Sequence, residues 1–146
     1  MSTADDGVDL GTSVGYELKV ASSALRAAME LALRPLGMTV THYSTLELLA
    51  QRPGLSGSQL ARGTFVTRQS MHVLLQSLEE QGHVTRPAEA EVGKSLPATL
   101  TSLGRRRLAL ASAAVRAVEL RMLERLTEDD RAEALRLLRA MTDALR

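Results

Sequence analysis

Arg68, Gln69, His72 and Gln76 recur at spacings that would place them together on one side of a helix. Their chemistry is that of base recognition. An arginine can pair with guanine and a glutamine with adenine through the major groove. No carboxylate interrupts this face until Glu79. The opposite side carries Met71, Leu74, Leu75 and Leu78 at i, i+3, i+4 and i+7, so the segment Arg68–Gln81 reads as an amphipathic helix. Thr67 is placed to cap its start, and Gly82 stands where a left-handed C-terminal cap belongs. A polar helix face is ordinarily just a solvated one, so its meaning depends on the elements around it.

Those elements have a definite order. Upstream, Ser56-Gly57-Ser58-Gln59 reads as a capping box opening a short helix with Leu60 and Ala61, which ends at Arg62-Gly63. A short capped helix, a tight turn and a longer amphipathic helix make a helix-turn-helix. The hydroxyls of Ser56, Ser58 and Thr67, at helix N-termini, are candidates for phosphate contacts. Downstream, Val84 and Arg86 alternate, as do Leu96, Ala98 and Leu100, so two short strands are expected around a turn carrying Gly93 and Lys94. Pro97 demands a strand edge or end. Flanking helices are expected over Ser13–Leu36, over Val40–Gln51 with Thr39 as cap, from Thr101 to about Arg125, and from Thr127 onward. Glu128, Asp129 and Asp130 fill the first turn of the last helix, where its dipole favours acids. The expected fold class is mainly α: a winged helix-turn-helix with a small β-hairpin wing and an α-helical dimerisation platform. Residues 1–12 are expected to be disordered and 13–146 to form one domain. The winged part is 39–100, and the platform is 13–36 with 101–146.

The platform expectation rests on two apolar stripes. Leu108, Ala111, Val115, Val118 and Met122 alternate by three and four, too apolar for a solvated helix, and must face either a partner or the first helix. Leu135, Leu138 and Met141 form the stripe of the last helix. Both stripes are assigned to a homodimer interface.

Composition narrows the classes. Hydrophobic residues make up 45% of the 146, so the chain can build a core, but aromatics are only 2%, which leaves Leu, Ala, Val and Met to fill it. The absence of cysteine excludes disulfides and thiol chemistry. The polar, acidic start lacks the features of a signal peptide, and no apolar run approaches a membrane span, so a soluble, cytoplasmic protein without a membrane partner is expected. Net charge is +1, with Asp5, Asp6 and Asp9 gathered at the start, which leaves the remainder modestly basic. No nucleophile elbow, phosphate-binding glycine loop or paired catalytic carboxylate appears, so no enzyme is expected. His42, His72 and His83 fall on three different elements without metal-ligand spacing, so neither a metal nor a cofactor is expected. The competing class is a helical protein–protein adaptor that keeps the fold without specific DNA binding.

The runs Leu55–Ala61, Val66–Met71 and Leu78–Arg86, closed by Leu100-Thr101-Ser102-Leu103-Gly104, resemble the DNA-binding core of the MarR (multiple antibiotic resistance regulator) family and its junction into a long dimerisation helix. The resemblance runs from about Ser13 to the C-terminus. It implies a homodimeric transcriptional regulator, a repressor relieved by a small molecule, that binds double-stranded DNA with a pseudo-palindromic operator. It extends the expected DNA-contacting set to Ser70, Arg86 and Lys94. Lys94 stands where many members have a wing arginine, and Val92 where they have an aspartate. Val73 and Ser77 occupy places where many have a recognition-helix arginine. The resemblance also implies a small aromatic or phenolic ligand between platform and winged part, for which His42 and Tyr43 are the candidates.

Overall fold

Among the described residues, each of the six α-helices begins on a hydroxyl. In the computed structural model, which describes residues 6–87 and 97–146, the side-chain oxygens of Ser13, Thr39, Ser56, Thr67, Thr101 and Thr127 each accept the backbone N–H three residues on, at 3.0–3.2 Å. Each satisfies one of the N–H groups a helix start leaves unpaired. The helices are α1 (Val14–Leu33), α2 (Val40–Gln51), α3 (Gly57–Thr64), α4 (Arg68–Glu80), α5 (Ser102–Met122) and α6 (Glu128–Ala144). The first helix stops short of the expected Leu36. Pro35 has no N–H to continue the ladder, and Arg34–Leu36 tightens into a 3-10 turn ending on Gly37 at φ 67°. The last turn expected of α5 is likewise absent, since the helix ends at Met122 rather than near Arg125.

The strands β1 (Val84–Thr85) and β2 (Thr99–Leu100) pair antiparallel, Val84 opposite Leu100 and Thr85 opposite Thr99. Arg86 lies beyond this short ladder. The turn from Ala88 to Ser95, with Gly93 and Lys94, and the strand position of Leu96 lie outside the described residues.

The core gathers around α2. Leu46, Leu49 and Thr45 are buried on it, against Leu60 and Ala61 of α3, Met71, Leu75 and Leu78 of α4, and Leu108 and Ala111 of α5. Thr45 is the buried polar side chain here, and its hydroxyl donates to the Thr41 carbonyl at 2.8 Å, so no unsatisfied group is left. One joint is unusually close. The Thr101 hydroxyl donates to the Gly82 carbonyl at 2.5 Å, and its N–H donates to the His83 carbonyl at 3.1 Å. Gly104 then passes so near that a Cβ on it would stand 2.0 Å from the His83 carbonyl oxygen. The end of α4 is thereby fixed to the start of α5.

The platform differs from the expectation in one respect. Helix α1 lies along α5, and Leu108, Ala111 and Val118 are buried within the chain, with Val115 packed on the same core. Most of the expected seam therefore faces inward, because α5 must cover α1 and α2 before it can meet a partner. Ala111 is fully buried and has no surface to offer. Met122 keeps 48% of its surface. The outward apolar stripe is Leu110, Ala113, Ala117 and Leu120, all exposed. Helix α6 buries none of its residues. Leu135 and Leu138 are exposed, and Leu138 and Met141 line a shallow cleft with Val14 and Leu18 of α1. Among the described residues, no helix is long and apolar enough to cross a membrane.

Candidate nucleic-acid interface

Helix α4 separates its two faces as its spacing requires. Met71, Leu75 and Leu78 are buried, while Arg68, Gln69, His72 and Gln76 are exposed. Arg68, His72 and Gln76 follow one i, i+4, i+8 row, with Gln69 alongside. Val73 shares the exposed surface, 55% accessible. The first turn contains no acidic residue, so the positive end of the helix dipole is uncompensated and open to an anion.

The hydroxyls nearby are partly committed. Thr67 accepts from the Ser70 N–H and donates to the Ser70 hydroxyl, both at 3.0 Å. Ser56 is bound in the reciprocal capping box with Gln59, at 3.2 and 2.8 Å. Ser56 and Ser58 are half-buried. Arg86 is engaged within the chain. Its Nε lies 2.8 Å from Oε2 of Glu79, so the guanidinium is turned back onto the C-terminal half of α4. Glu79 reaches it because the chain reverses at Gly82, whose φ of 77° suits a residue without a Cβ. Arg105 and Arg106 are exposed, whereas Arg107 donates to the Leu36 carbonyl and ties α5 to the turn after α1.

Between platform and winged part lies a polar cluster that only the fold assembles. Glu47 of α2 accepts from Ser112 of α5 at 2.7 Å and from Gln51 at 2.6 Å. The Tyr43 hydroxyl stands beside this pair, and burial, reinforced by the Glu47 charge, pushes its pKa up to about 12. His42 and His83, which the sequence places on separate elements, lie near enough for one charge to act on the other. Burial lowers the pKa of both. The His83 charge adds to the effect on His42, and the Arg107 charge to that on His83. The Nδ1 atom of His83 is buried without a hydrogen-bond partner. A separate cavity of about 270 Å³ opens between α1 and α5, lined by Ala24, Leu25, Val118, Arg121 and Met122 among others. Neither His42 nor Tyr43 lines it. Among the described residues, no three metal-ligating side chains come together.

Residues 36–95, which take in most of the winged part, match the MarR family. The HTH-type transcriptional repressor Rv2887 of Mycobacterium tuberculosis (strain ATCC 25618 / H37Rv) is 44% identical over 138 residues, covering 94% of this chain and 96% of the repressor. The chain belongs to the MarR family. Two crystal structures of MarR family protein Rv2887 of Mycobacterium tuberculosis share its architecture. One is a complex with DNA, 41% identical with a TM-score of 0.75, covering 89% of this chain and 98% of that one. The other is a complex with salicylic acid, 43% identical with a TM-score of 0.74, covering 94% and 98%. In this MarR chain, the mainly α winged helix-turn-helix expected from the sequence is the fold observed.

Proposed function

We propose that this chain is a homodimeric, sequence-specific DNA-binding repressor whose base-reading surface is the N-terminal half of α4. The observation that carries the reading is the exposed row of Arg68, Gln69, His72 and Gln76 at a helix start free of acids. Arg68 and Gln69 read base edges, while Thr67 and Ser58 position the helix on phosphate. Lys94, which lies between the two strands in sequence, supplies a point charge to the DNA backbone rather than the planar fork of an arginine. Two copies set their recognition helices into successive major grooves, with half-sites roughly 34–36 Å apart. The relatives support this reading, being named as repressors and solved with DNA.

Selection of bound duplexes from a random pool tests it, followed by Arg68→Ala on the selected site. The substitution should weaken specific binding by about 1–3 kcal/mol per half-site and relax sequence preference. An equal loss on specific and unrelated DNA would make Arg68 a phosphate contact and overturn the assignment.

The repressor is relieved by a small phenolic acid, the class to which the salicylic acid of the Rv2887 complex belongs. The ligand would meet the winged part beside Tyr43 and His42. With its pKa near 12, Tyr43 stays a neutral hydroxyl donor. Glu47 repels a ligand carboxylate, and Arg107 attracts it, so the acid group points towards the His42–His83 side. Release of DNA requires tighter binding to the DNA-incompetent dimer. A titration of operator binding with salicylate should show a rightward shift that Tyr43→Phe diminishes. An unshifted curve in the unmodified protein would remove this ligand class.

A further inference from the structure

Phe65 is placed against two physical preferences at once. It occupies the left-handed region at φ 62°, where the other described residues with positive φ are Gly37, Gly54 and Gly82. The residue is 89% exposed, in a chain with a single phenylalanine. The turn itself explains the backbone but not the residue. The Phe65 N–H donates to the Arg62 carbonyl at 3.4 Å, and the Val66 N–H donates to the Ala61 carbonyl at 3.0 Å, the paired closure of a helix end that glycine ordinarily serves. A glycine there would relieve the strain and hide the apolar surface. Phe65 borders a cleft with Leu48, Leu55, Arg52 and Arg62 and is left uncovered there.

Its surroundings indicate the occupant. Phe65 lies two residues before Thr67, the cap of α4, so its Cα is within about 7 Å of the start of that helix. Arg62 and Arg68, both exposed, flank it in the chain on either side, and the first turn of α4 holds no acid. An exposed apolar side chain that shares a cleft with Arg62, with Arg68 three residues on and the positive end of a helix next in the chain, suits a polyanion that also presents apolar patches. Duplex DNA meets that description through its phosphates and the 5-methyl of thymine, which phenylalanine is suited to contact. In the chain, Phe65 is separated from Arg68, the first residue of the base-reading row, only by Val66 and Thr67.

We propose that Phe65 is a specificity-determining residue that packs on a thymine 5-methyl at the edge of each half-site. The proposal rests on the DNA-binding reading of α4. An acidic protein segment would be the other occupant of a surface of this charge.

The test begins with a duplex selected by the unmodified protein. Each thymine of the site is replaced in turn by deoxyuridine, which removes only the methyl group, and affinity is measured for the unmodified protein and for Phe65→Gly. At one thymine per half-site the unmodified protein should lose about fourfold, the value of burying one methyl group. Phe65→Gly should bind the unmodified site more weakly and should not distinguish thymine from uracil at that position. Its melting temperature should be unchanged or higher, because glycine relieves the backbone. A general fold defect would instead lower both. The proposal is overturned if Phe65→Gly binds DNA as tightly as the parent, if every uracil replacement acts alike in both proteins, or if the loss is equal on unrelated DNA. Failure of the parent protein to select any sequence would instead sink the reading of α4 on which this rests.

Discussion

Glu79 and Arg86 lie seven residues apart and close an ion pair across the reversal at Gly82. At 45% and 23% side-chain exposure such a pair adds little stability, about 0–1 kcal/mol, but it fixes where a positive charge points. Glu79→Gln should therefore leave the melting temperature nearly unchanged while releasing the guanidinium. The slope of log affinity against log salt for non-specific DNA should steepen by about one unit if Arg86 then reaches phosphate, and Arg86→Ala in the same background should restore it. Salt titrations of the two variants check this. His42 and His83 make a second prediction at this scale. Both are held below their ordinary pKa, so the folded protein keeps them neutral where the unfolded chain has begun to protonate. In that window the unfolded state binds more protons, and stability rises with pH. Their burial is thus harmless above the unfolded value of about 6.5 and becomes destabilising as pH falls through it towards the lowered folded values. Thermal melts across pH 5–8 should show this slope, and His83→Gln should flatten it. A slope unchanged in His83→Gln would place its origin elsewhere.

Helix α5 shows why one element can be legible in outline and ambiguous in orientation. Its cap, its length and its apolar content follow from Thr101 and the residues after it, yet it carries two apolar stripes. Leu108, Ala111, Val115 and Val118 turn inward, and Leu110, Ala113, Ala117 and Leu120 turn outward. Periodicity finds a stripe but cannot say which neighbour it meets, since either face would satisfy a spacing of three and four. The caps at Thr39, Ser56, Thr67, Thr101 and Thr127 were readable because a hydroxyl and the N–H it accepts lie within one turn of chain. The Glu79–Arg86 pair, the influence of His83 on His42 and the strained Phe65 depend on how the chain reverses, which residue types alone do not report. The two faces of α5 separate experimentally. Leu108→Ala should cost about 2–5 kcal/mol of stability by opening a core cavity. Leu110→Glu with Leu120→Glu should leave the fold of each chain intact and weaken self-association instead. Denaturant melts and sedimentation of the same variants distinguish them.

At the scale of the whole molecule, Leu110 and Leu120 on α5, Leu135 and Leu138 on α6, and Tyr16, Leu18 and Val20 on α1 leave apolar side chains exposed on the three platform helices, the surface that a second copy would cover. The melting temperature should accordingly rise with protein concentration, as it must when folding is linked to association, and a concentration-independent melt of a sedimenting monomer would contradict the platform reading. The contact of Gly104 with the His83 carbonyl then acquires a mechanical sense. Because no side chain intervenes, and Thr101 bonds both Gly82 and His83, the recognition helix and the long helix cannot slide past each other and must turn as one rigid arm. Helix α5, with 21 residues, is about 31 Å long. A tilt of about 5° at its platform end swings the other end by about 3 Å, close to the separation of stacked base pairs. A gear so stiff transmits small rotations without slack, so a molecule wedged near the fulcrum could throw two reading heads out of step with the double helix without deforming either of them.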